Sequence, residues 1–125
     1  MDDFTRAYLV AALWSSTDDN QNPLDDNYNF DSFAPEALAR MEADCEQFQA
    51  ENAELLAKAY PLYVVIDDSC PESYAGHDFW LTRAGHGCGW WDRGMGELGE
   101  QLTEATRKWK EINLYVGDDL LIHIM

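Results

Sequence analysis

The stretch AGHDFWLTRAGHGCGWWDRG, residues 75–94, carries three of the chain's five tryptophans, two of its three histidines and one of its three cysteines. Aromatic side chains bury about 150–250 Å² each and dominate the cores that contain them, so this segment has to fold inward. Glycines divide it. HDFWLTR and GCGWWDR, residues 77–83 and 87–93, read as two aromatic strands joined by a turn around residues 84–87. The expectation is a β-hairpin at the centre of the fold.

The other segments supply elements to pack on it. Residues 3–15 predict a first helix with Asp2 or Asp3 at its N-terminus, and Phe4, Ala7, Tyr8, Ala11, Ala12 and Trp14 recur at helical spacing on its buried face. Residues 16–35 are dominated by Asp, Asn and Ser, which bond to nearby backbone and favour turns, so they predict a long acidic loop. A second helix is expected over residues 35–60, because Pro35 suits a first turn and Pro61 cannot continue it; Leu38, Met41, Cys45, Phe48, Leu55 and Ala59 form its apolar stripe. Residues 62–66, LYVVI, fit a strand or a buried helical turn, joining the core either way. A third helix over residues 96–110 places Leu98, Leu102, Ala105 and Trp109 on one face, and residues 112–124 alternate around Gly117-Asp118-Asp119 as a closing hairpin. The predicted architecture is one acidic α+β domain over residues 1–125, with about three helices on a small antiparallel sheet of two hairpins.

Charge narrows the function. Twenty-four acidic and eight basic residues give a net charge of −16. Charge on that scale works against compactness and, without a metal bridge, against direct binding to nucleic acid or to an anionic membrane surface, and it favours a cationic partner. Cys45, Cys70 and Cys88 are odd in number and form no Cys-x-x-Cys pair, which argues for reduced thiols and against a disulfide framework or a zinc knuckle. The N-terminus opens on two aspartates, where a secretory signal needs basic residues, and no apolar run reaches the roughly 18 residues of a membrane span. The expected setting is a cytoplasm.

Several constellations compete as sites. His77, Asp78, His86, Cys88 and Asp92 would converge on adjacent strands and could hold zinc, but their spacing matches no standard ligand set. His86 and Cys88, two apart on a strand, would share a face as a base and a thiol, yet no oxyanion device accompanies them. Asp25, Asn27, Asn29, Asp31 and Glu36 fall on a calcium-loop template, with Phe30 where the template needs glycine. Arg83 and Arg93, beside Asp78 and Asp92, read as cross-strand ion pairs. On the predicted second helix Glu36, Glu46 and Glu54 lie opposite the apolar stripe, with Glu42 and Glu51 on its flanks. No cofactor and no metal is assigned.

The segment GHDFWLTRAGHGCGWWDRG, followed by LYVGDDLLI, resembles a family of small, acidic, uncharacterised bacteriophage proteins with the motif GHDFWLTR-x-GHG-x-G-[FW]-W-D-R. The likeness extends to residues 8–30 and 34–56; Ala84, Cys88 and Trp90 stand where the family usually has asparagine, alanine and phenylalanine, and the change at residue 88 counts against a family thiol. The resemblance implies a phage protein working in the cytoplasm of an infected bacterium. Size, charge and that origin together suggest a non-enzymatic inhibitor or modulator of a host DNA-binding or nucleic-acid-processing protein, acting as a DNA mimic. Its surface would comprise Asp18, Asp19, Asp25, Asp26 and Asp31 in the loop and Glu36, Glu42, Glu46, Glu51 and Glu54 on the helix. One alternative is a metal-binding or metal-dependent hydrolytic module at the hairpin, using His77, Asp78 and His86 with Trp91 and Asp92 beside them. Another is an assembly protein that associates through Trp90, Trp91 and Trp109.

Overall fold

The computed structural model describes residues 1–86 and 89–125, and over them the chain is α+β, with five helices and a two-stranded antiparallel sheet. Helix α1, Asp3–Ser15, begins at Asp2, whose carboxylate accepts the Thr5 N–H at 2.8 Å. Phe4, Tyr8, Leu9, Ala11, Ala12 and Leu13 are buried along it, whereas Val10 and Trp14 face outward. Trp14 is thus a correction to the predicted docking face, which uses Leu9 and Leu13 instead.

Helix α4, Pro71–Arg83, packs against α1 and overturns the central hairpin. HDFWLTR is helical. Pro71 occupies the first turn with Glu72 beside it, and Ala75, Gly76, Phe79, Trp80 and Arg83 return at spacings of three and four to one buried face. Gly76 meets the α1 backbone so closely that an added Cβ would lie 1.9 Å from the Phe4 carbonyl oxygen. Tyr8 stands edge-on to Trp80, 5.3 Å between centroids, and the Trp80 indole N–H donates to Ser15 Oγ at 2.7 Å. WWDR does not form a strand either: Trp90–Asp92 is a single tight helical turn, seated because Gly89 passes Thr82 where a Cβ would come within 2.1 Å of its hydroxyl. The two β-prone runs are held apart from pairing by this helix and turn.

The predicted second helix is two helices. Helix α2, Pro35–Glu51, ends at Asn52, whose side-chain amide and backbone N–H both donate to the Phe48 carbonyl at 3.0 Å. That competition for a helix acceptor breaks the run, and α3, Ala53–Ala59, follows. Phe48 stacks on Phe79 at 4.1 Å, joining α2 to α4. Residues 62–66 do not enter the core as expected: Tyr63 is buried, but Val64 is 85% exposed and Leu62 and Ile66 are exposed too. Pro61 has ended the helix, and the segment is pinned by the Tyr63 hydroxyl, described below, and by the Ile66 N–H, which donates to the Tyr74 hydroxyl at 3.1 Å.

Helix α5, Glu97–Arg107, buries Leu102 and packs on α3 and α4. The closing hairpin forms as predicted, with β1, Leu114–Val116, against β2, Ile122–Ile124, in the register Leu114↔Ile124, Tyr115↔His123 and Val116↔Ile122. Phe33 bridges to Ile122, and Ala34 N–H donates to the Ile122 carbonyl at 2.9 Å, which ties the acidic loop to the sheet. One hairpin thus replaces the two expected, and five helices replace three; the helices pack chiefly on one another rather than on a sheet.

Substituting alanine for glycine inside a helix ordinarily stabilises by about 0.5–1 kcal/mol. Gly76→Ala should do the reverse here and cost about 1–3 kcal/mol, because α4 must move off the Phe4 carbonyl. Urea unfolding measures it as a lower midpoint at an unchanged slope.

Candidate functional site

The aromatic-histidine segment uses its polar groups to hold the fold. Asp78, 1% exposed on α4, accepts from Arg93 Nη2 at 2.9 Å, from Arg93 Nε at 3.0 and 3.3 Å, and from the Tyr63 hydroxyl at 2.8 Å. The Arg93 guanidinium lies against two rings, 5.5 Å from the Tyr63 centroid and 5.4 Å from that of Tyr74. Arg83, also buried, donates to Asp44 at 2.8 Å, to the Tyr8 hydroxyl at 3.1 Å and through Nε to the Lys110 carbonyl at 2.8 Å. Arg93 does pair with Asp78, but from just after the Trp90–Asp92 turn onto α4 rather than across strands, while Arg83 takes its carboxylate from α2 and leaves Asp92 exposed. Buried Arg83 and the more exposed Arg93 both tie distant segments together.

The proposed metal ligands are placed apart. His77 lies within α4 with its ring against Trp14 at 5.7 Å, and its Nδ1 is 3.8 Å from Asp78 Oδ1, buried and without a hydrogen bond. His86 follows the end of α4, exposed, with its backbone N–H on the Leu81 carbonyl at 3.0 Å. Both Asp78 oxygens are taken by Arg93, and among the described residues no three His, Cys, Asp or Glu side chains gather as metal ligands. The His86–Cys88 pairing lies outside the described residues, since Cys88 is not among them. Of the tryptophans expected to associate, Trp90 is fully buried with its indole N–H on Thr106 Oγ1 at 2.8 Å, so it is a core residue; Trp109 is half-buried, and Trp91 is exposed.

The acidic candidates are where the sequence placed them, on the surface. Asp19, Asp25, Asp26 and Asp31 are exposed in the loop, as are Glu36, Glu42, Glu46 and Glu51 on α2 and Glu54 on α3. The break at Asn52 divides the carboxylate row that one continuous helix would have carried. Asp18 is half-buried, its carboxylate accepting the backbone N–H groups of Asn20 and Asn22 at 2.8 and 3.0 Å. Asn29, part of the calcium template, caps its own turn instead: its side chain accepts Asp31 N–H at 2.9 Å, and its N–H donates to Ser32 Oγ at 3.1 Å. Among the described residues none of the ten predicted carboxylates forms an ion pair; the paired acids are Asp44, Asp78, Glu104 and Asp119.

Two clefts flank the exposed side of α1. One, of about 400 Å³, lies between α1 and the acidic loop and is lined by Val10, Leu13, Tyr28 and Phe30 with Asp25, Asn29 and Asp31. The other, of about 340 Å³, lies between α1 and α4, lined chiefly by Arg6, Val10, Tyr74, His77 and Arg93. Neither was legible in the sequence, because each combines residues of separate elements. The signal that remained was the apolar pair Tyr28 and Phe30 inside an otherwise polar loop.

Buried phenols set a limit at high pH. Burial, with the Asp78 carboxylate next to it, pushes the Tyr63 phenol far above its ordinary 10.0; burial likewise raises Tyr8, and burial with Glu72 raises Tyr60 to about 12. A group whose folded pKa is raised stabilises fully below its unfolded value and loses that contribution as pH climbs through the folded one. Stability should therefore decline above about pH 10 and not before on account of these groups. Denaturant midpoints across alkaline pH check this, and Tyr63→Phe should both flatten the decline and cost about 0.5–1.5 kcal/mol at neutral pH through its lost hydrogen bond. Compared with known proteins, this chain matches no family model, no curated protein and no solved structure.

Proposed function

We propose that the chain is a non-enzymatic binding protein that engages a basic, DNA-binding or nucleic-acid-processing host protein and inhibits or modulates it by charge complementarity, as a DNA mimic. The observation that carries this reading is the distribution of charge. Ten carboxylates of the loop, α2 and α3 have no ion-pair partner among the described residues, while Arg83 is engaged inside the fold and Arg93 is paired with the buried Asp78. About 2–8 net charges suffice to keep a small domain soluble, and this chain carries −16. Glu42 and Glu46 are separated by about 6 Å of helix rise and one turn, so they share a face of α2, while Glu51 extends the exposed charge round to another side of the helix. Such a surface raises the encounter rate with a basic groove and competes there with phosphate.

The pairs Asp78–Arg93 and Asp44–Arg83 satisfy each other within the fold, which supports binding over catalysis. No described helix is long and apolar enough to cross a membrane. The resemblance to phage proteins supplies the setting proposed, the cytoplasm of an infected bacterium.

The immobilised chain should retain basic, nucleic-acid-binding proteins from bacterial lysate at low salt and release them as salt rises. Duplex DNA added in solution should displace the same proteins, and the triple variant E42Q/E46Q/E51Q should retain markedly less. Retention indifferent to salt, or of proteins without a basic surface, would overturn the reading.

A further inference from the structure

We propose that the cleft between α1 and the acidic loop is the anchor point of that interaction and receives an arginine side chain of the cationic partner. The proposal rests on the cationic-partner reading above and locates its specificity. The cleft has the two parts that an arginine needs. Its walls are apolar and aromatic, from Val10, Leu13, Tyr28 and Phe30, and its rim carries the exposed carboxylates of Asp25 and Asp31. An arginine would lay its aliphatic stem on the walls, stack its planar guanidinium on a ring and direct its fork of N–H groups at carboxylate oxygens.

The protein already makes one such contact for itself. The Arg6 guanidinium carbon sits 5.7 Å from the centroid of the Phe30 ring, so that ring stacks with a guanidinium in the folded chain. Exposure points to the same place. Val10 is 45% exposed where it lines the cleft, apolar surface beside carboxylates that a partner would remove from water. A lysine fits less well, because its compact ammonium is strongly hydrated and has no flat face to stack.

The rim is held in place before any partner arrives. Leu24 is fully buried and its N–H donates to the Ser16 carbonyl at 2.9 Å, Thr17 bridges to Pro23, and Asn29 caps the turn that carries Asp31. Ordering cost at this site is therefore low. Neither the Asp25 nor the Asp31 carboxylate accepts a hydrogen bond among the described residues, so each can be neutralised without loss to the fold.

Nuclear magnetic resonance titration of the full chain with N-acetyl-arginine methylamide, and separately with the lysine analogue, tests the site. The arginine probe should saturably shift the amides of Leu13, Tyr28, Phe30 and Asp31 and bind several-fold more tightly than the lysine probe. The double variant D25N/D31N should weaken it by about fivefold or more, whereas E46Q/E51Q, which removes the same charge from α2, should leave it unchanged. Shifts spread along α2, equal weakening by the two double variants, or equal affinity for both probes would overturn the proposal. Should those results coincide with undiminished salt-sensitive capture from lysate, the arginine anchor falls and the cationic-partner reading stands. Saturable arginine binding in the cleft without such capture would support the anchor and overturn the broader reading.

Discussion

The seat of α4 on α1 at Gly76 is the contact on which the rest of the structure depends. With no side chain there, the two backbones close on each other and bring Tyr8, Phe79 and Trp80 into one aromatic layer, which Phe4 and Phe48 extend. The same approach turns Asp78 and Arg83 inward. Each is a charge removed from water, a state that is tolerable only with a partner in good geometry. Arg93 and Tyr63 answer Asp78 and thereby fix the segment after Gly89 and the strand-like run around Tyr63. Asp44 and Tyr8 answer Arg83 and fasten α2 to α1 and α4.

Electrostatics at the surface follow from this arrangement in the core. The chain has eight cationic residues, and the fold draws Arg83 inside and pairs Arg93 with a buried acid. What faces solvent is more one-sided than the composition alone would suggest. The repulsion that results opposes compaction, and the aromatic layer is the chief term that offsets it.

The elements with strong local signals were legible in the sequence. Helix α1 was bounded by Asp2 and by the Ser and Thr residues that follow it, and the last hairpin was marked by alternation around Gly117. The segment at 77–83 misled because its content is β-prone while its decisive signals lie upstream, in Pro71, Glu72 and the Ala75–Phe79 spacing. Gly85 and Gly87 suggest a hairpin turn and Gly89 falls in the expected second strand, whereas Gly89 serves close packing against Thr82. Asn52 breaks a helix whose apolar stripe continues on both sides, so the stripe concealed the break. At the candidate site the exposure of the helix glutamates could be read from periodicity and that of Asp19, Asp25, Asp26 and Asp31 from the polar composition of the loop. The cleft could not, since Val10 and Leu13 meet Tyr28 and Phe30 only after the loop folds back on α1.

That difference bears on how an acidic surface acquires selectivity. Long-range charge accelerates encounter with every basic protein in reach and is screened over about 8 Å at physiological salt, so it selects poorly among them. Selection needs a short-range feature that rewards one side chain and refuses another. Away from the cleft, on α2 and the remainder of the loop, the carboxylates stand alone, each a weak and exposed partner. Beside α1 they stand over an apolar, aromatic cleft, where a guanidinium loses water on its faces and keeps hydrogen bonds at its edge. In the binding mode proposed for this chain, the extended charge brings a partner in and the cleft decides which of them stays.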